Sequence, residues 1–473
     1  MKGLTAQSTA LAVHGSIYRY TETNGWQPYT EDDGKEISSV VTDSRQAGPG
    51  SLFAAIRGQR VDGHQFIARC AEAGAAVILA ERFPDEAVSI PVIITDDTLK
   101  ALRDLAEYYL SVLKIPTVGV VGSVGKTSTK EMTAAVLSRK YHVLKTDGNF
   151  NNELGVPLTA FRIREDDELA VFEMGINHFG EMRRLAKIVK PDTVIMTNIG
   201  YSHIEFLESQ EGILRAKSEV FEYLKKDGCA VLNADDPYLA SLKERQDLRK
   251  VFYGIGPGEG DLPRQVWADH VEPLGLAGTR CVIHTPDADF EAEIPVPGHH
   301  MLVNAVAAAA AGWVHGLTPD EIREGLLRTE TLKGRFRTIT TEKFTIFDDS
   351  YNASPASVEA ALELLKVAEG RKAAVLGDMG ELGGEAPRFH REVGAYAAAE
   401  GRTDILCCVG EHSRSMADAA KEQNPELPVY WFPNLESLLQ KAGELFLPGD
   451  SILVKASRFM HFENIADSLQ NMK

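Results

Sequence analysis

The sequence has few cysteines, and they do not follow a metal-binding pattern. The 473 residues include five cysteines, namely Cys70, Cys229, Cys281, Cys407 and Cys408. They form no Cys-x-x-Cys pair, which argues against a structural zinc site or a disulfide scaffold. The adjacent Cys407 and Cys408 lie in an apolar segment that predicts a buried strand, so we expect them to pack rather than to ligate. This usage is typical of a reducing compartment, and we expect a cytoplasmic protein.

Long apolar runs and an excess of basic residues are also missing. No apolar stretch approaches the roughly 20 residues that span a membrane, and the first residues do not predict a signal peptide. The formal net charge is −18, which argues against a general nucleic-acid-binding protein. An anionic ligand would therefore have to be bound by local groups, such as backbone amides, helix N-termini and a few lysines or arginines.

Composition and patterning indicate an α/β protein with three domains. Hydrophobic residues make up 44% of the chain and charged residues 25%, as in soluble globular proteins. Strands and helices alternate from residue 117 onward, which predicts mostly parallel sheets covered by helices. The predicted strands are 75–80, 90–94, 117–121, 169–172, 193–196, 230–232, 344–347, 373–376, 405–409 and 452–454, and the predicted helices include 97–110 and 126–139. We place the domains at 1–112, 113–332 and 333–473.

The segment GVVGSVGKTSTK, residues 119–130, lacks one glycine of the common phosphate-binding loop. That loop has a glycine five residues before its Gly-Lys pair, and Val120 stands there instead. An apolar strand, a glycine-rich turn and a helix nevertheless follow one another, which favours a phosphate site over an incidental strand–helix turn. Lys126 can reach terminal phosphates, and Thr127 has the hydroxyl that binds Mg²⁺ in such loops.

Two further side chains follow predicted strands. Glu173 comes after strand 169–172 and His203 after strand 193–196, and such strand ends line the ligand crevice of a parallel sheet. Taken alone, Glu173 is also consistent with a solvated glutamate, and His203 with a structural hydrogen-bonding residue. The absence of an Asn-Lys-x-Asp motif argues against a switch GTPase. The asparagine-rich loop 149–157 offers amide groups to a polar substrate.

Together these segments resemble the Mur ligases, the ATP-dependent amide-forming enzymes of peptidoglycan precursor synthesis. The family's phosphate loop has the short form Gly-x-x-Gly-Lys-[Thr/Ser], which residues 122–127 match, so Val120 is no defect. Further resembling segments are 42–45, 62–64, 148–158, 173–178, 197–203, 216–221, 233–237, 348–355, 375–383 and 454–458. The resemblance covers nearly the whole chain. The departures, Val124 and Ala456, remove no charged group.

The resemblance is greatest to the branch of the family that adds D-alanyl-D-alanine to UDP-N-acetylmuramoyl-tripeptide. It implies ATP-driven ligation through an acyl phosphate by a monomer. It also implies a small N-terminal α/β domain for the UDP-substrate, a central ATP-binding domain with a P-loop-type, mostly parallel sheet, and a C-terminal Rossmann-like domain. The last domain would close over ATP and exclude water from the acyl phosphate.

The resemblance also implies roles for individual residues. It assigns catalysis to Lys126, Lys217, His203 and Arg335. It assigns ATP binding to Gly122, Ser123, Val124, Gly125, Lys126, Thr127, Ser128, Asn304, Arg335 and Asp349. It assigns two Mg²⁺ ions to Thr127, Glu173, His203 and Lys217. It assigns substrate binding to Ser44, Arg45, Asn151, Asn152, His178, Tyr351 and Asn352.

Several alternatives stay open at this point. Lys217 taken alone predicts a surface helix lysine, whereas the resemblance implies a lysine carbamate that assists metal binding. Residues 455–458 either help to bind D-alanyl-D-alanine or phosphate, or merely end a strand. The alternatives for the reaction are another Mur-type amide ligase and a folylpolyglutamate-type one. Folylpolyglutamate synthase has a similar loop, but the N-terminal domain and residues 351–354 argue against it. A non-catalytic ATP-binding partner would not need Lys126, Thr127, Glu173, His203 and Lys217 together.

Overall fold

The computed structural model describes residues 1–31, 34–58, 60–258, 262–330, 332–399 and 401–472. The described strands form three sheets, of six, nine and six strands. None of the described helices is both long and apolar enough to cross a membrane. The three sheets follow one another along the chain, so each is built from one continuous part of the sequence.

The first sheet has a parallel part and an antiparallel edge. Its strands are β1 (Ser16–Thr21), β2 (Gly25–Pro28), β3 (Ser39–Val41), β4 (Ser51–Ala54), β5 (Val77–Ala80) and β6 (Val92–Ile94), and its helices are α1 (Ala6–Ala12), α2 (Ile67–Glu72) and α3 (Thr98–Leu113). The strand order is β2-β1-β6-β5-β4-β3. Strands β3 to β6 are parallel, whereas β1 is antiparallel to both β2 and β6.

Helix α3 connects the first sheet to the second. Asp97 caps it by accepting a hydrogen bond from the Lys100 amide, and it ends where Lys114 adopts a left-handed conformation with φ of 57°. Its apolar residues recur at helical spacing and are buried, as expected for a helix that packs on one face. The Tyr109 hydroxyl donates to the carbonyl of Ile163 at 2.7 Å, across to the second unit.

The second sheet is parallel except at one edge. Its strands are β7 (Thr117–Val121), β8 (Val143–Lys145), β9 (Leu169–Glu173), β10 (Thr193–Met196), β11 (Cys229–Asn233), β12 (Arg249–Ile255), β13 (Val266–Pro273), β14 (Thr279–His284) and β15 (Asp289–Ile294). The order is β15-β14-β13-β12-β11-β10-β7-β9-β8. Strands β14 and β15 are antiparallel. All residues of β7, β9 and β10 are buried, as in a sheet covered on both faces.

The helices of the second unit cover both faces of its sheet. They are α4 (Lys126–Leu137), α5 (Gly155–Ala160), α6 (Glu181–Val189), α7 (Ile204–Leu207), α8 (Gln210–Ser218), α9 (Pro237–Ala240), α10 (His299–Val314) and α11 (Pro319–Leu327). Two apolar clusters lie on either side of the sheet, one shared with α3 and the other with α4 and α10. The buried side chains along α10 are mostly alanines, and their small size lets the helix pack closely against α4.

The third sheet is again mostly parallel. Its strands are β16 (Arg337–Thr340), β17 (Thr345–Asp348), β18 (Lys372–Gly377), β19 (Ile405–Val409), β20 (Val429–Phe432) and β21 (Ser451–Lys455), in the order β16-β17-β21-β18-β19-β20. Only the β16–β17 pair among these described strands is antiparallel. The helices are α12 (Pro355–Lys366), α13 (Ala386–Ala397), α14 (Ser413–Gln423), α15 (Leu435–Leu439), α16 (Ala442–Leu445) and α17 (Glu463–Gln470).

The structure confirms the three-domain α/β architecture and corrects some details. Each predicted strand overlaps an observed one, and Cys407 and Cys408 are fully buried in β19, as expected. Predicted strand 90–94 begins only at Val92, because Pro91 has no N–H for the ladder. The antiparallel β1–β2 and β14–β15 strands were not predicted. The division at residues 112 and 332 stays a prediction, and α3 crosses the first of these boundaries.

The Tyr109 hydroxyl bond gives a prediction about the stability of the junction between the first two units. We expect Tyr109→Phe to lower the free energy of unfolding by about 1 kcal/mol, because the buried Ile163 carbonyl loses a donor. The midpoint of urea unfolding measures this. Tyr108→Phe is the matched control, since the Tyr108 hydroxyl has no hydrogen-bond partner among the described residues. Equal midpoints for the two variants would contradict the prediction.

Candidate functional site

The phosphate-type loop joins β7 to α4 at the carboxyl edge of the second sheet. Gly122 has a φ of 155° and lies against the strand-β10 side, where an added Cβ would be 1.9 Å from the Thr197 hydroxyl. Gly125 has a φ of 83° and caps α4. Only glycine meets both conditions without strain. Val120, by contrast, lies inside β7 and is fully buried, so the position of the missing glycine belongs to the strand core.

The loop that follows β10 braces the phosphate-type loop through hydrogen bonds. The Asn198 side chain accepts a hydrogen bond from the Val124 amide at 2.9 Å and donates to the Val124 carbonyl at 3.0 Å. Thr197 donates to the same carbonyl at 2.6 Å, and the Ser123 amide donates to the Asn198 carbonyl at 3.0 Å. Sequence reasoning missed this bracing role, although residues 197–200 were noted as a resembling segment.

Two lysine amines meet at this loop, one of them partly buried and the other buried. Lys126 donates to the carbonyls of Gly122 at 2.8 Å and Ser123 at 3.1 Å, and Lys217 donates to the same Gly122 carbonyl at 3.0 Å. Burial lowers the pKa of Lys126, and the Glu173 carboxylate opposes this effect. Burial and then the charge of Lys126 hold the pKa of Lys217 well below its usual range. The interpretation of Lys217 as a surface lysine is wrong, because only 1% of it is exposed.

Glu173 ends β9 directly beside the loop. One of its carboxylate oxygens accepts a hydrogen bond from the Thr127 hydroxyl, and the other accepts one from the Asn151 amide, each at 2.8 Å. Its backbone N–H donates to the Thr146 hydroxyl at 3.1 Å. The interpretation of Glu173 as a solvated glutamate is wrong, since it is 2% exposed. The Asn151 bond to Glu173 was not anticipated, and it gives Asn151 a positioning contact.

The oxygen atoms of Thr127 and Glu173 fit a magnesium ion. Mg²⁺ prefers hard oxygen ligands and usually takes one or two from protein, with the rest from phosphates and water. The described residues contain no cluster of three or more His, Cys, Asp or Glu side chains that could hold a metal. A metal bound here would therefore depend on ligands from the substrate, or on an acidic group created by modification.

His203 lies at the start of α7 and faces the third unit. Its backbone is left-handed, with φ of 63°, and its Nδ1 is 2.6 Å from a carboxylate oxygen of Glu381. This contact holds the pKa of Glu381 below its usual range. His203 therefore makes its closest described polar contact across the boundary between two units, rather than with Thr127 or Glu173.

Other predicted nucleotide contacts lie around the loop. Asn304 on α10 is buried beside Gly125, where an added Cβ would be 2.9 Å from its side-chain oxygen. The Arg335 guanidinium lies 4.2 Å from the centre of the Tyr351 ring. Its positive charge also lowers the pKa of Lys126, an effect smaller than those of burial and of Glu173. The Asp349 carboxylate pairs with Lys455. Burial raises the pKa of Asp349, and Lys455 opposes this.

Comparisons with known proteins identify the family. The family model described as "Mur ligase middle domain" matches residues 120–312, the "Mur ligase, glutamate ligase domain" matches 334–458, and the "Mur ligase family, catalytic domain" matches 36–110. A UDP-N-acetylmuramoyl-tripeptide–D-alanyl-D-alanine ligase of Bacillus subtilis (strain 168) is 39% identical over 437 residues, with 92% of this chain and 93% of that protein covered. The chain belongs to the Mur ligase family.

Solved Mur ligase structures agree with this assignment. A crystal structure of MurF from Acinetobacter baumannii has a TM-score of 0.87 at 32% identity, with 99% of both chains covered. MurF from Thermotoga maritima in complex with ADP has a TM-score of 0.80 at 28% identity, with 92% of this chain and 97% of that one covered. Folylpolyglutamate synthase from Mycobacterium tuberculosis, at 16% identity and a TM-score of 0.60, shares the fold alone.

The structure places the remaining predicted residues of this Mur ligase in different surroundings. Arg45, beside Ser44 in a short 3-10 helix of the first unit, is 80% exposed and pairs with Asp43, whose pKa its hydrogen bonds lower to about 2. Asn152 accepts hydrogen bonds from two backbone amides at the start of α5. His178 is exposed and contacts Glu181. Asn352 is bound through its carbonyl, which accepts from Lys455 at 3.0 Å. Their predicted roles in substrate binding stay predictions.

The bracing of the loop by Asn198 can be tested. We expect Asn198→Ala to raise the KM for ATP about tenfold, because Val124 loses two side-chain hydrogen bonds and the loop is no longer held in place. Asn434→Ala is the matched control, since that asparagine caps α15 in the third unit. Steady-state kinetics and thermal unfolding of both variants separate the two effects. An unchanged KM for ATP in Asn198→Ala would show that the brace does not matter for binding.

Proposed function

We propose that this Mur ligase joins D-alanyl-D-alanine to UDP-N-acetylmuramoyl-tripeptide in a reaction driven by ATP. The terminal carboxylate of the tripeptide attacks the γ-phosphorus, which releases ADP and forms an acyl phosphate. The amine of the dipeptide then attacks the acyl carbon and releases phosphate. The observation that carries this proposal is the meeting of a phosphate loop, the Thr127–Glu173 pair, Lys126 and the buried Lys217 at one sheet edge. Relatives that are named for this activity match 92% of the chain.

The central difficulty of this reaction is the approach of a carboxylate to a triphosphate, since both are anions. Lys126 and the backbone amides of residues 122–128 would hold the β- and γ-phosphates at the N-terminus of α4. Thr127 and Glu173 would hold one Mg²⁺, and His203 and Lys217 would take part in holding a second. When bound, Mg²⁺ would supply positive charge that reduces the repulsion of the two reacting anions.

Lys217 would act as a carbamate rather than as an ammonium. Its neutral amine would bond to the carbon of CO₂ and lose a proton. The product is a carboxylate-like anion in place of a side chain that is ordinarily a cation. Burial without a carboxylate partner among the described residues supports this proposal, because both favour the uncharged amine that reacts. The resulting oxygens would add an acidic ligand to Glu173, in a site where the described side chains form no cluster of three or more metal-binding groups.

Residues from all three units would supply the rest of the substrate contacts. Asn304 would meet the adenine, Asp349 the ribose beside Tyr351 and Asn352, and Arg335 the γ-phosphate. In the first unit, Ser44 and Arg45 would contact the uridine diphosphate. Asn151, Asn152 and His178 would face the rest of the nucleotide substrate. We further propose that the enzyme works as a cytoplasmic monomer whose third unit closes over ATP.

A phosphate-release assay tests the reaction. We expect release only when ATP, Mg²⁺, UDP-N-acetylmuramoyl-tripeptide and D-alanyl-D-alanine are all present, and omitting any one should abolish sustained turnover. Mass spectrometry of the product should show the pentapeptide nucleotide. Turnover that depends instead on a folate and glutamate would contradict the proposal.

The role of Lys217 has its own test. We expect Lys217→Ala to lower kcat on the order of 100-fold or more, because the acidic group at the metal is lost. Added short carboxylic acids should restore part of the activity. Lys226→Ala is the control, as that neighbouring lysine is exposed. Activity of Lys217→Ala at the wild-type level, in buffer low in bicarbonate, would rule out the carbamate.

A further inference from the structure

The loop that follows β18 carries an acidic side chain, Glu381, from the third unit to the ATP-type site. Glu381 has a left-handed backbone with φ of 62°, a conformation that is uncommon for residues other than glycine. Such strain persists where the surrounding structure enforces it, and it is concentrated at functional sites. The sequence reasoning assigned no role to Glu381.

The two residues that directly precede Glu381 are held by hydrogen bonds. The Met379 amide donates to His390 Nε2 at 3.0 Å, and the Gly380 amide donates to the Ser457 hydroxyl at 2.8 Å. His390 is fully buried, and its Nδ1 donates to the Ala386 carbonyl at 2.7 Å, which leaves Nε2 as the acceptor. These contacts hold the backbone of the loop in one conformation, and the carboxylate of Glu381 is its part that faces the second unit.

The preceding residue of the loop is anchored as well. One carboxylate oxygen of Asp378 accepts hydrogen bonds from the Ser413 amide at 2.7 Å and from the Ser413 hydroxyl at 2.6 Å. Asp378 is 5% exposed, so its carboxylate is committed to the start of α14. Asp378 and Glu381 therefore have different roles, because Asp378 fixes the loop and Glu381 projects from it.

Glu381 reaches the same cleft as the phosphate loop. Its carboxylate is 2.6 Å from Nδ1 of His203, and its side chain remains 45% exposed. His203 lowers the pKa of Glu381, and Lys126 and His178 lower it further by smaller amounts. The neighbouring Gly383 packs beside Glu205 of α7, since a Cβ added to Gly383 would lie 3.3 Å from the Glu205 side chain. The carboxylate is thus rigidly presented, yet a ligand in the cleft can reach it.

The sign of this charge is unexpected for a site that binds a triphosphate. An anion there repels both phosphates and the substrate carboxylate, so cations must offset its charge, and the Mg²⁺ proposed at His203 is one of them. In the proposed reaction, the incoming dipeptide enters with a positively charged amino group. We propose that Glu381 binds this ammonium group and holds its nitrogen next to the activated carboxyl, which the nitrogen attacks once it has lost a proton to solvent. This inference rests on the proposed function.

Kinetics of Glu381→Gln test the inference. The substitution keeps the shape of the side chain and removes its charge. We expect the KM for D-alanyl-D-alanine to rise about 10- to 100-fold, as for the loss of a charge-assisted hydrogen bond. The KM for ATP and the amount of acyl phosphate trapped by borohydride without dipeptide should stay at wild-type values. Glu385→Gln is the matched control, because Glu385 is exposed and pairs with Arg388 instead.

An uncharged nucleophile separates binding of the ammonium group from other roles. Hydroxylamine is largely neutral at neutral pH, so we expect Glu381→Gln and wild type to transfer the acyl group to it at equal rates. If Glu381 only fastens the third unit to His203, the variant should lose acyl-phosphate trapping and ATP affinity as well, and the inference is then wrong. An unchanged KM for the dipeptide also overturns it. Failure of the wild-type enzyme to use the dipeptide would instead contradict the proposed function.

Discussion

The carbonyl oxygen of Gly122 accepts hydrogen bonds from two amines, that of the partly buried Lys126 at 2.8 Å and that of the buried Lys217 at 3.0 Å. Two cations this close repel each other, and burial raises the cost of charging either one. An anionic ligand would relieve the repulsion at Lys126, and the proposed conversion of Lys217 to an anion would remove the second positive charge. The same contact is therefore consistent with both phosphate binding and a modified lysine.

The rest of the second unit brings these groups to one edge. Strands β9, β7 and β10 are adjacent and parallel, so Glu173, the loop at Gly122 and the loop at Asn198 all follow carboxyl ends. The close approach of Gly122 to Thr197 leaves no room for a side chain. Lys217 arrives from α8, which packs beneath this edge through buried residues. The charge arrangement thus depends on sheet order and on one glycine.

The neighbouring units act on this centre from opposite sides. Helix α3 ties the first sheet to the second through Tyr109 and through the ion pair of Arg103 with Glu153, at 2.7 Å. The third unit contributes Arg335, whose charge acts on Lys126, and Glu381, which contacts His203. In the proposed reaction, Arg335 would bring positive charge to the phosphates and Glu381 would bring negative charge to the same site. A unit that supplies both signs is suited to hold an anionic nucleotide and a cationic amine in sequence.

The sequence alone determined the strand–loop–helix unit at 117–137, the alternation of strands and helices, and the candidates Lys126, Thr127 and Glu173. These are local, because periodicity and glycine spacing report on neighbouring residues. Only the tertiary structure decided that Lys217 is buried, that Asn151 holds Glu173 and that Glu381 meets His203. Lys217 and Gly122 are 95 positions apart, so sheet order and domain packing decide that contact, and neither leaves a local pattern in the chain.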